Sequence, residues 1–518
     1  MQAPSPSTKG GHESPRQRFG ARRREPSDPL LRAFELLVRA RPQAPLVVAA
    51  QRRATVADVD ALARAASRAL GDDQAPPPGA VVGLAAGNGP GFLASLIALR
   101  RAGLAALLLD AHAPEAESLR IARALGAAAL LRCRMGWPDS AADWARTSIA
   151  AGKTGRASEA LHLPGIAVVK LTSGSTGTPR GIATPAAALL ADDAALTASM
   201  GLRPDDRLLT TIPLSHSYGL SSLAVPALAR GVPLVVPEES GLFGPFTAAE
   251  AMAATVFPTV PAYLDALLRI SQAPAWPPSL RLVIAAGAPL GPQTAGGFRA
   301  RFGLPVHVFY GASECGGICY DREGGAGERG SVGTPVEGVR VSLLPAAPAG
   351  NTAEGGDWRA VECASGTVFV EGPAVADGYV PEGDPRLVRG HFVAGDRAAW
   401  NQGELVLLGR QDALINIKGK KIDPREVEAV IGQLAGVEEV AVMGVPVPER
   451  QCVVLRAVIA CRPSRLSAGQ VLAWCRGNLA AHKVPRSLIL VPEMPRDARG
   501  KLDRSSLLAL RAPSDGRG

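Results

Sequence analysis

Long apolar runs are missing from this chain. The nearest approach to one, Phe92 to Leu109, is broken by Arg100 and Arg101. A membrane-spanning helix needs about 20 apolar residues in a row, so none is expected. The start of the chain also lacks the apolar core of a secretory signal. Cysteine is sparse: there are seven, and they are scattered. The closest pair, Cys315 and Cys319, has no second pair at zinc-ligand spacing. Reduced thiols in a cytoplasmic protein are therefore expected. Aromatic residues make up only 4% of the chain, while Ala, Gly and Pro are abundant.

Charge is not lacking. The net charge is +9, and part of it sits in residues 1–28, where Lys9, Arg16, Arg18, Arg22, Arg23 and Arg24 outnumber Glu13, Glu25 and Asp28. Such a tail can touch nucleic acid or an anionic membrane. A solvated, disordered tail with no nucleic-acid partner is the expectation. Three acids and no apolar face argue against a transit peptide.

With 518 residues, 47% of them hydrophobic, the chain is long enough for two or more cores. From Pro29 the pattern becomes α/β. Val59, Leu62, Ala63, Ala66 and Leu70 recur at helical spacing and predict a helix over Asp58–Leu70. Val81–Ala85 reads as a strand, Phe92–Arg101 as a helix and Leu104–Leu109 as another strand, a rhythm that implies a parallel sheet. It continues through Leu282–Ala286 and Val306–Tyr310. Residues 320–358 shift to short strands and turns, predicting a smaller β-rich subdomain. Residues 413–512 hold a compact α+β pattern, with helices at Pro424–Leu434 and Ala468–Leu479 and strands at Val440–Val445 and Val453–Ile459. The predicted organisation is a tail (1–28), a large α/β domain (29–411), a small α+β domain (412–512) and a short tail (513–518).

One stretch organises the rest. The apolar run Ile166–Leu171 reads as a buried strand and breaks into Thr172-Ser173-Gly174-Ser175-Thr176-Gly177-Thr178-Pro179-Arg180-Gly181. Glycines allow tight turns that expose N–H groups, and the hydroxyls add donors; such a loop can wrap phosphate oxygens. Arg180 adds a permanent positive charge. The Gly-Lys-Ser/Thr close of a Walker loop is absent. A Gly/Ser/Thr run is also what a surface linker looks like, but a linker does not normally follow a buried strand and end in Pro-Arg-Gly.

This stretch closely resembles the phosphate loop of the adenylate-forming superfamily, which includes acyl- and aryl-CoA synthetases, firefly luciferase and the adenylation domains of peptide synthetases. Arg180 stands where the family has Lys. Further matches follow in family order. Pro213-Leu214-Ser215-His216-Ser217-Tyr218-Gly219 resembles the acyl-pocket motif. Gly287-Ala288-Pro289 resembles the segment beside adenine, and Tyr310-Gly311-Ala312-Ser313-Glu314 the Tyr-Gly-x-Thr-Glu motif. Gly395-Asp396 resembles the ribose-binding Gly-Asp, although the Arg-Thr that precedes it in the family is lost. Gly409-Arg410-Gln411-Asp412 matches the hinge motif, continued by Lys418-Gly419 and Glu426, and Arg499-Gly500-Lys501-Leu502-Asp503-Arg504 the terminal motif. Alone, His216 would be read as a structural histidine, Glu314 as a surface acid and the terminal run as solvated basic residues.

The resemblance implies an ATP-dependent ligase. A carboxylic acid is joined to AMP with loss of pyrophosphate, then passed to the thiol of CoA or of a carrier protein's phosphopantetheine. Thr172, Ser173, Gly174, Ser175, Thr176, Gly177 and Arg180 would hold phosphates. Gly287, Ala288, Tyr310, Gly311, Ala312 and Ser313 would line the adenine side. Glu314 and Thr176 would hold Mg²⁺, and Asp396 and Arg410 would meet the ribose. Lys501 would stabilise the transition state, His216 would face the acyl group, and Asp412 would be the pivot. No acid occurs from Thr211 to Val232 to hold an α-amine, and no charge from Thr211 to Leu228 to pair with a second ionised group, so an uncharged substrate tail is expected.

Overall fold

The computed structural model describes residues 28–71, 75–133, 136–149, 161–172, 180–239, 241–272, 274–345, 363–410, 415–417, 420–447, 452–461, 466–495 and 504–510. Two twisted sheets dominate. The first has seven strands in the order Gly378–Val380, Arg180–Pro185, Ile166–Thr172, Ala105–Leu108, Val81–Ala86, Ala129–Cys133, Trp144–Ser148. Its middle strands run parallel and its edges antiparallel. The second has nine strands, in the order Thr334–Pro335, Gly316–Tyr320, Val306–Ala312, Leu282–Ala285, Val256–Thr259, Leu208–Leu209, Leu234–Val235, Pro45–Val48, Arg53–Thr55.

Helices fill the space between the two sheets. The helix Pro90–Arg101 is buried on every face down to Arg100, which is why its sequence shows no polar stripe. Phe92, Leu93, Leu96 and Ile97 share one core with residues of both sheets, among them Leu84 and Val168 from the first and Leu208 and Ile284 from the second. The helix Val56–Leu70 is amphipathic, as its spacing predicts, and opens with a capping box in which Thr55 and Asp58 satisfy each other's backbone N–H. Asp28, the last residue assigned to the basic tail, caps the helix Pro29–Ala40 and accepts a 2.5 Å hydrogen bond from Arg100 Nε.

The β-rich unit begins later than the composition suggests. Gly316–Tyr320 and Thr334–Pro335 extend the nine-stranded sheet; the separate sheet is built from Arg340–Leu344, Ser365–Glu371, Leu387–Val388, His391–Asn401 and Glu404–Arg410. Beyond it, the antiparallel strands Val437–Val447 and Cys452–Cys461, with Ser487–Val491 parallel to the second, carry the helices Pro424–Ile431 and Ala468–Asn478 over a core of their own. Among the described residues no helix is long and apolar enough to cross a membrane.

Candidate active site

The parallel strands of both sheets deliver their carboxyl ends to one crevice, the place where ligands bind in open α/β sheets. Leu108 and Asp110, Thr172, Thr211, Val260, Ala286 and Gly287, and Ala312 all follow or end such strands. All of them line a single cavity of about 440 Å³. The acyl-pocket motif enters from the side. Gly219 is required there, because a Cβ at this position would lie 2.1 Å from the Pro213 carbonyl oxygen. His216 caps the short helix that follows, its Nδ1 accepting from Tyr218 N–H. The next turn, Leu220–Ala224, is a π-helix, a widened geometry common at functional sites. It sits just before Pro226, which has no N–H to continue an α-helical ladder. Tyr218 and Ser221 both face the cavity.

The anticipated nucleotide residues are brought together in part. Tyr310 donates to Asp396 Oδ2 at 2.7 Å, and Asp396 lies opposite Arg410 in the antiparallel register. Ser217 donates to Ser313 at 2.7 Å, which joins the acyl-pocket motif to the Tyr-Gly-x-Ser-Glu turn. Gly287, Gly311, Ala312, Ser313, His216 and Thr172 line the cavity. Ala288 lies half-buried beyond Gly287. Ser173, Gly174, Ser175, Thr176, Gly177, Asp412, Lys418, Gly419 and Lys501 lie outside the described residues.

Arg180 is fixed by a chain of contacts that the loop motif does not announce. Its guanidinium lies 4.1 Å from the centre of the Tyr379 ring, and its Nη1 donates to Asp384 Oδ2 at 3.1 Å. The Tyr379 hydroxyl in turn donates to Glu314 Oε1 at 2.9 Å. Burial alone would raise the Asp384 carboxyl; hydrogen bonds from Arg386 and Arg180 outweigh it and bring it down to about 2. A planar guanidinium can stack and pair at once, whereas an ammonium is a point charge.

Charge reaches the cavity from elements outside the acyl-pocket motif, beyond the Thr211–Leu228 stretch on which the expectation of an uncharged substrate tail rests. Lys170, in the strand Ile166–Thr172, and Asp192, in the helix Ala186–Met200, both line it, and each is only 3% exposed. The other end of the cavity is walled by both domains. Lys483 Nζ donates at 2.9 Å to Glu117 Oε1 of the large domain and at 2.9 Å to Glu426 Oε1 of the small one. Burial raises the Glu117 carboxyl, and Lys483 opposes that shift. Lys420 Nζ stands 3.2 Å from His482 Nδ1 and 3.5 Å from Asp110 Oδ2. Burial, with the charges of Lys420 and Lys483, pushes His482 down to about 3, so its ring is neutral near pH 7. Asn416 Nδ2 donates to the Gly287 carbonyl at 3.0 Å.

Replacing Arg180 by Lys removes the stacked contact and leaves Tyr379 and Glu314 less firmly placed. Loss of a partly buried cation–π contact costs about 1 kcal/mol, so nucleotide KM should rise about 5-fold with little change in melting temperature. Steady-state titration of nucleotide for wild type and Arg180→Lys checks this; an unchanged KM would separate the stack from nucleotide binding.

Residues 34–380 match the AMP-binding enzyme family, and residues 426–501 match the AMP-binding enzyme C-terminal domain. Curated relatives include a sulfoacetate–CoA ligase of Cupriavidus necator, 29% identical over 66% of this chain and 66% of its own length. A feruloyl-CoA synthase of an Amycolatopsis species is 30% identical over 66% of this chain and 69% of its own length. The chain thus spans about two thirds of the length of the curated relatives it matches. Among solved structures, the amide bond synthetase McbA of Marinactinospora thermotolerans is 26% identical, with a TM-score of 0.76 over 93% of this chain and 99% of its own. The o-succinylbenzoate CoA synthetase of Bacillus subtilis, 22% identical and covering 92% of this chain, shares the fold. With its product analogue OSB-NCoA bound, the TM-score is 0.75 over 98% of its length. Bound to AMP, the same enzyme gives 0.61 over 97%. This chain belongs to the AMP-binding family of adenylate-forming enzymes.

Proposed function

We infer that this enzyme is an AMP-forming acid–thiol ligase that activates a carboxylic acid with ATP and transfers the acyl group to the thiol of CoA. The observation that carries the reading is the shape of the cavity. Its inner part, around Tyr218, Ser221 and Gly311, suits the acid; its outer part runs between the domains, past Asp110, Glu117, Lys420, His482 and Lys483. A thiol on a long arm can approach an acyl group by that outer route while nucleotide fills the crevice beside Tyr310 and Asp396. The acids named for the relatives differ as much as sulfoacetate and ferulate, whereas CoA is common to both.

In the first half-reaction an oxygen of the acid attacks the α-phosphorus of ATP, the bond to the β-phosphate oxygen breaks, and pyrophosphate leaves. Lys501 would meet the charge that develops on the α-phosphate. In the second, the thiolate attacks the acyl carbonyl, the bond to the phosphate oxygen breaks, and AMP leaves. A Mg²⁺ ion would neutralise phosphate charge during activation. Glu314, together with Thr176, would hold it. Among the described residues no group of three or more His, Cys, Asp or Glu forms a closed metal cage. A lone carboxylate fits an ion bound mainly through phosphate oxygens and water. One crevice serves two nucleophiles if the small domain turns about Asp412 between the steps. Lys501 would then be required in the first half-reaction and Lys483 in the second.

The functional test is ATP, Mg²⁺, CoA and a panel of short, long-chain and aromatic acids. Pyrophosphate release coupled to a CoA thioester is expected. Thioester only on a carrier protein, or amide only with an added amine, would overturn the choice of free CoA as acceptor.

Two variants should give opposite phenotypes. Lys501→Ala should slow adenylate formation about 100-fold or more, as loss of one transition-state charge contact does, and spare thioester formation from synthetic acyl-adenylate. Lys483→Met leaves Glu117 and Glu426 facing each other without their shared cation. Breaking a buried ion pair costs about 3–5 kcal/mol, so the docked arrangement weakens. Thioester formation from acyl-adenylate should then fall by at least about 10-fold, with adenylate formation retained. Rapid-quench measurement of both half-reactions decides; parallel losses in either variant would contradict its assigned step.

A further inference from the structure

At its inner end the cavity carries a buried charge that the chemistry of activation does not use. Lys170 points into it from the strand Ile166–Thr172 at 3% exposure. Among the described residues its ammonium makes no hydrogen bond or ion pair. Its electrostatic neighbours are Asp192, Glu314 and Cys315, and burial lowers its pKa below the ordinary value despite them. Asp192 faces the same space. Its Oδ1 accepts Gly317 N–H at 2.9 Å, and Ser221 gives it a further hydrogen bond. Burial pushes the Asp192 carboxyl up.

A lysine in a sheet core is costly unless something accepts its protons, because an unpaired buried ion loses its hydration without replacement. If this pair served the fold alone, ammonium and carboxylate would meet directly; instead both line the cavity, and among the described residues no ion pair joins them. The charge balance narrows what can fill the gap. Lys170 and Asp192 together are neutral, whether the proton sits on the nitrogen or on the oxygen. A second carboxylate there would leave one uncompensated negative charge in a buried place that already faces Glu314. A hydroxyl adds no charge: its oxygen accepts from Lys170 and its proton goes to Asp192. Both partners are then satisfied by one group.

We propose that Lys170 and Asp192 select a carboxylic acid that bears a hydroxyl at the end remote from the reacting carboxylate. This rests on the ligase reading for the identity of the ligand as an acid. The walls offer aromatic surface: Tyr218 and Phe309, packed with ring centres 5.6 Å apart, line the cavity together with Gly311 and Gly316. Gly316 has no freedom to change: its φ is +71°, and a Cβ would lie 2.4 Å from the Asp192 carboxyl carbon. A larger residue there would displace the carboxylate, so the wall and the acceptor are one construction.

The test uses benzoic and cinnamic acids whose para position carries hydrogen, methyl, hydroxyl or carboxyl, with wild type, Lys170→Met and Asp192→Asn. Two readouts run side by side: kcat/KM from pyrophosphate release, and acid-induced thermal stabilisation in the presence of AMP. The shift caused by AMP alone reports that each variant is folded. Sites built to bind a hydroxyl reject analogues that lack it by large factors. The wild type should therefore prefer hydroxyl over methyl by at least about 10-fold in one chain length of the series. Lys170→Met should abolish or invert that preference, and Asp192→Asn should reduce it. A preference unmoved by Lys170→Met overturns the proposal. So does a carboxyl-substituted acid that is preferred over the hydroxyl one and loses its advantage in Lys170→Met, because that result identifies an anion site. Absence of both turnover and stabilisation by every acid also overturns it. Lys170-dependent stabilisation by the hydroxy acids without any turnover supports the recognition pair and removes the ligase reading instead.

Discussion

One ammonium between two carboxylates holds the composite cavity together. Glu117 belongs to the large domain and Glu426 to the small one, and Lys483 donates to both. Glu117 is almost wholly buried. Without that ammonium, two acids would face each other with only Arg120, 4.0 Å from Glu426 Oε1, as a nearby cation, and like charges in low dielectric repel strongly. The same side of the cavity holds further contacts between the two parts: the Lys420–Asp110 approach beside His482 and the reach of Asn416 to Gly287. Such a clamp is also reversible. Charge-assisted hydrogen bonds of this kind would suit the proposed turning of the small domain.

The fold was legible where periodicity is strong. The helix over Val56–Leu70 and the strands at Val81, Ile166 and Leu282 follow from spacing alone, with ends moved by one or two residues, as helix and strand termini commonly are. The β-rich unit starts later than composition predicts, because the strands before it look local in sequence. Gly316–Tyr320 and Thr334–Pro335 are short and turn-bounded, yet they pair with the end of the nine-stranded sheet, and only the long-range register reveals that. The site was legible in its motifs. His216, Gly311 and Ser313 line one cavity, Tyr310 reaches Asp396 of the neighbouring β-rich sheet, and Glu314 accepts from Tyr379.

What stayed hidden was whatever comes from the opposite wall. Tyr379 and Asp384 lie about 200 residues from Arg180, and nothing around Arg180 in sequence announces them. Lys483 sits in an ordinary short turn. Lys170 did carry a signal, a single charge inside the apolar run Ile166–Leu171, and a charged residue at a strand position that should be buried is itself the informative observation. The Thr211–Leu228 motif is one wall of the pocket, and the strand Ile166–Thr172 and the helix Ala186–Met200 contribute Lys170 and Asp192 to it.

The close approach of Gly316 to Asp192 has a consequence for how this pocket can change over time. A side chain at 316 and a carboxylate at 192 cannot occupy the same space. The two positions therefore form a single variable: chains that keep an acid at 192 are confined to glycine at 316, and chains that acquire bulk at 316 must first shed the acid. A change of substrate along this line cannot proceed by one tolerated step at 316. It has to begin in the helix, with the loss of a hydrogen bond to Gly317, before the opposite strand is free to vary.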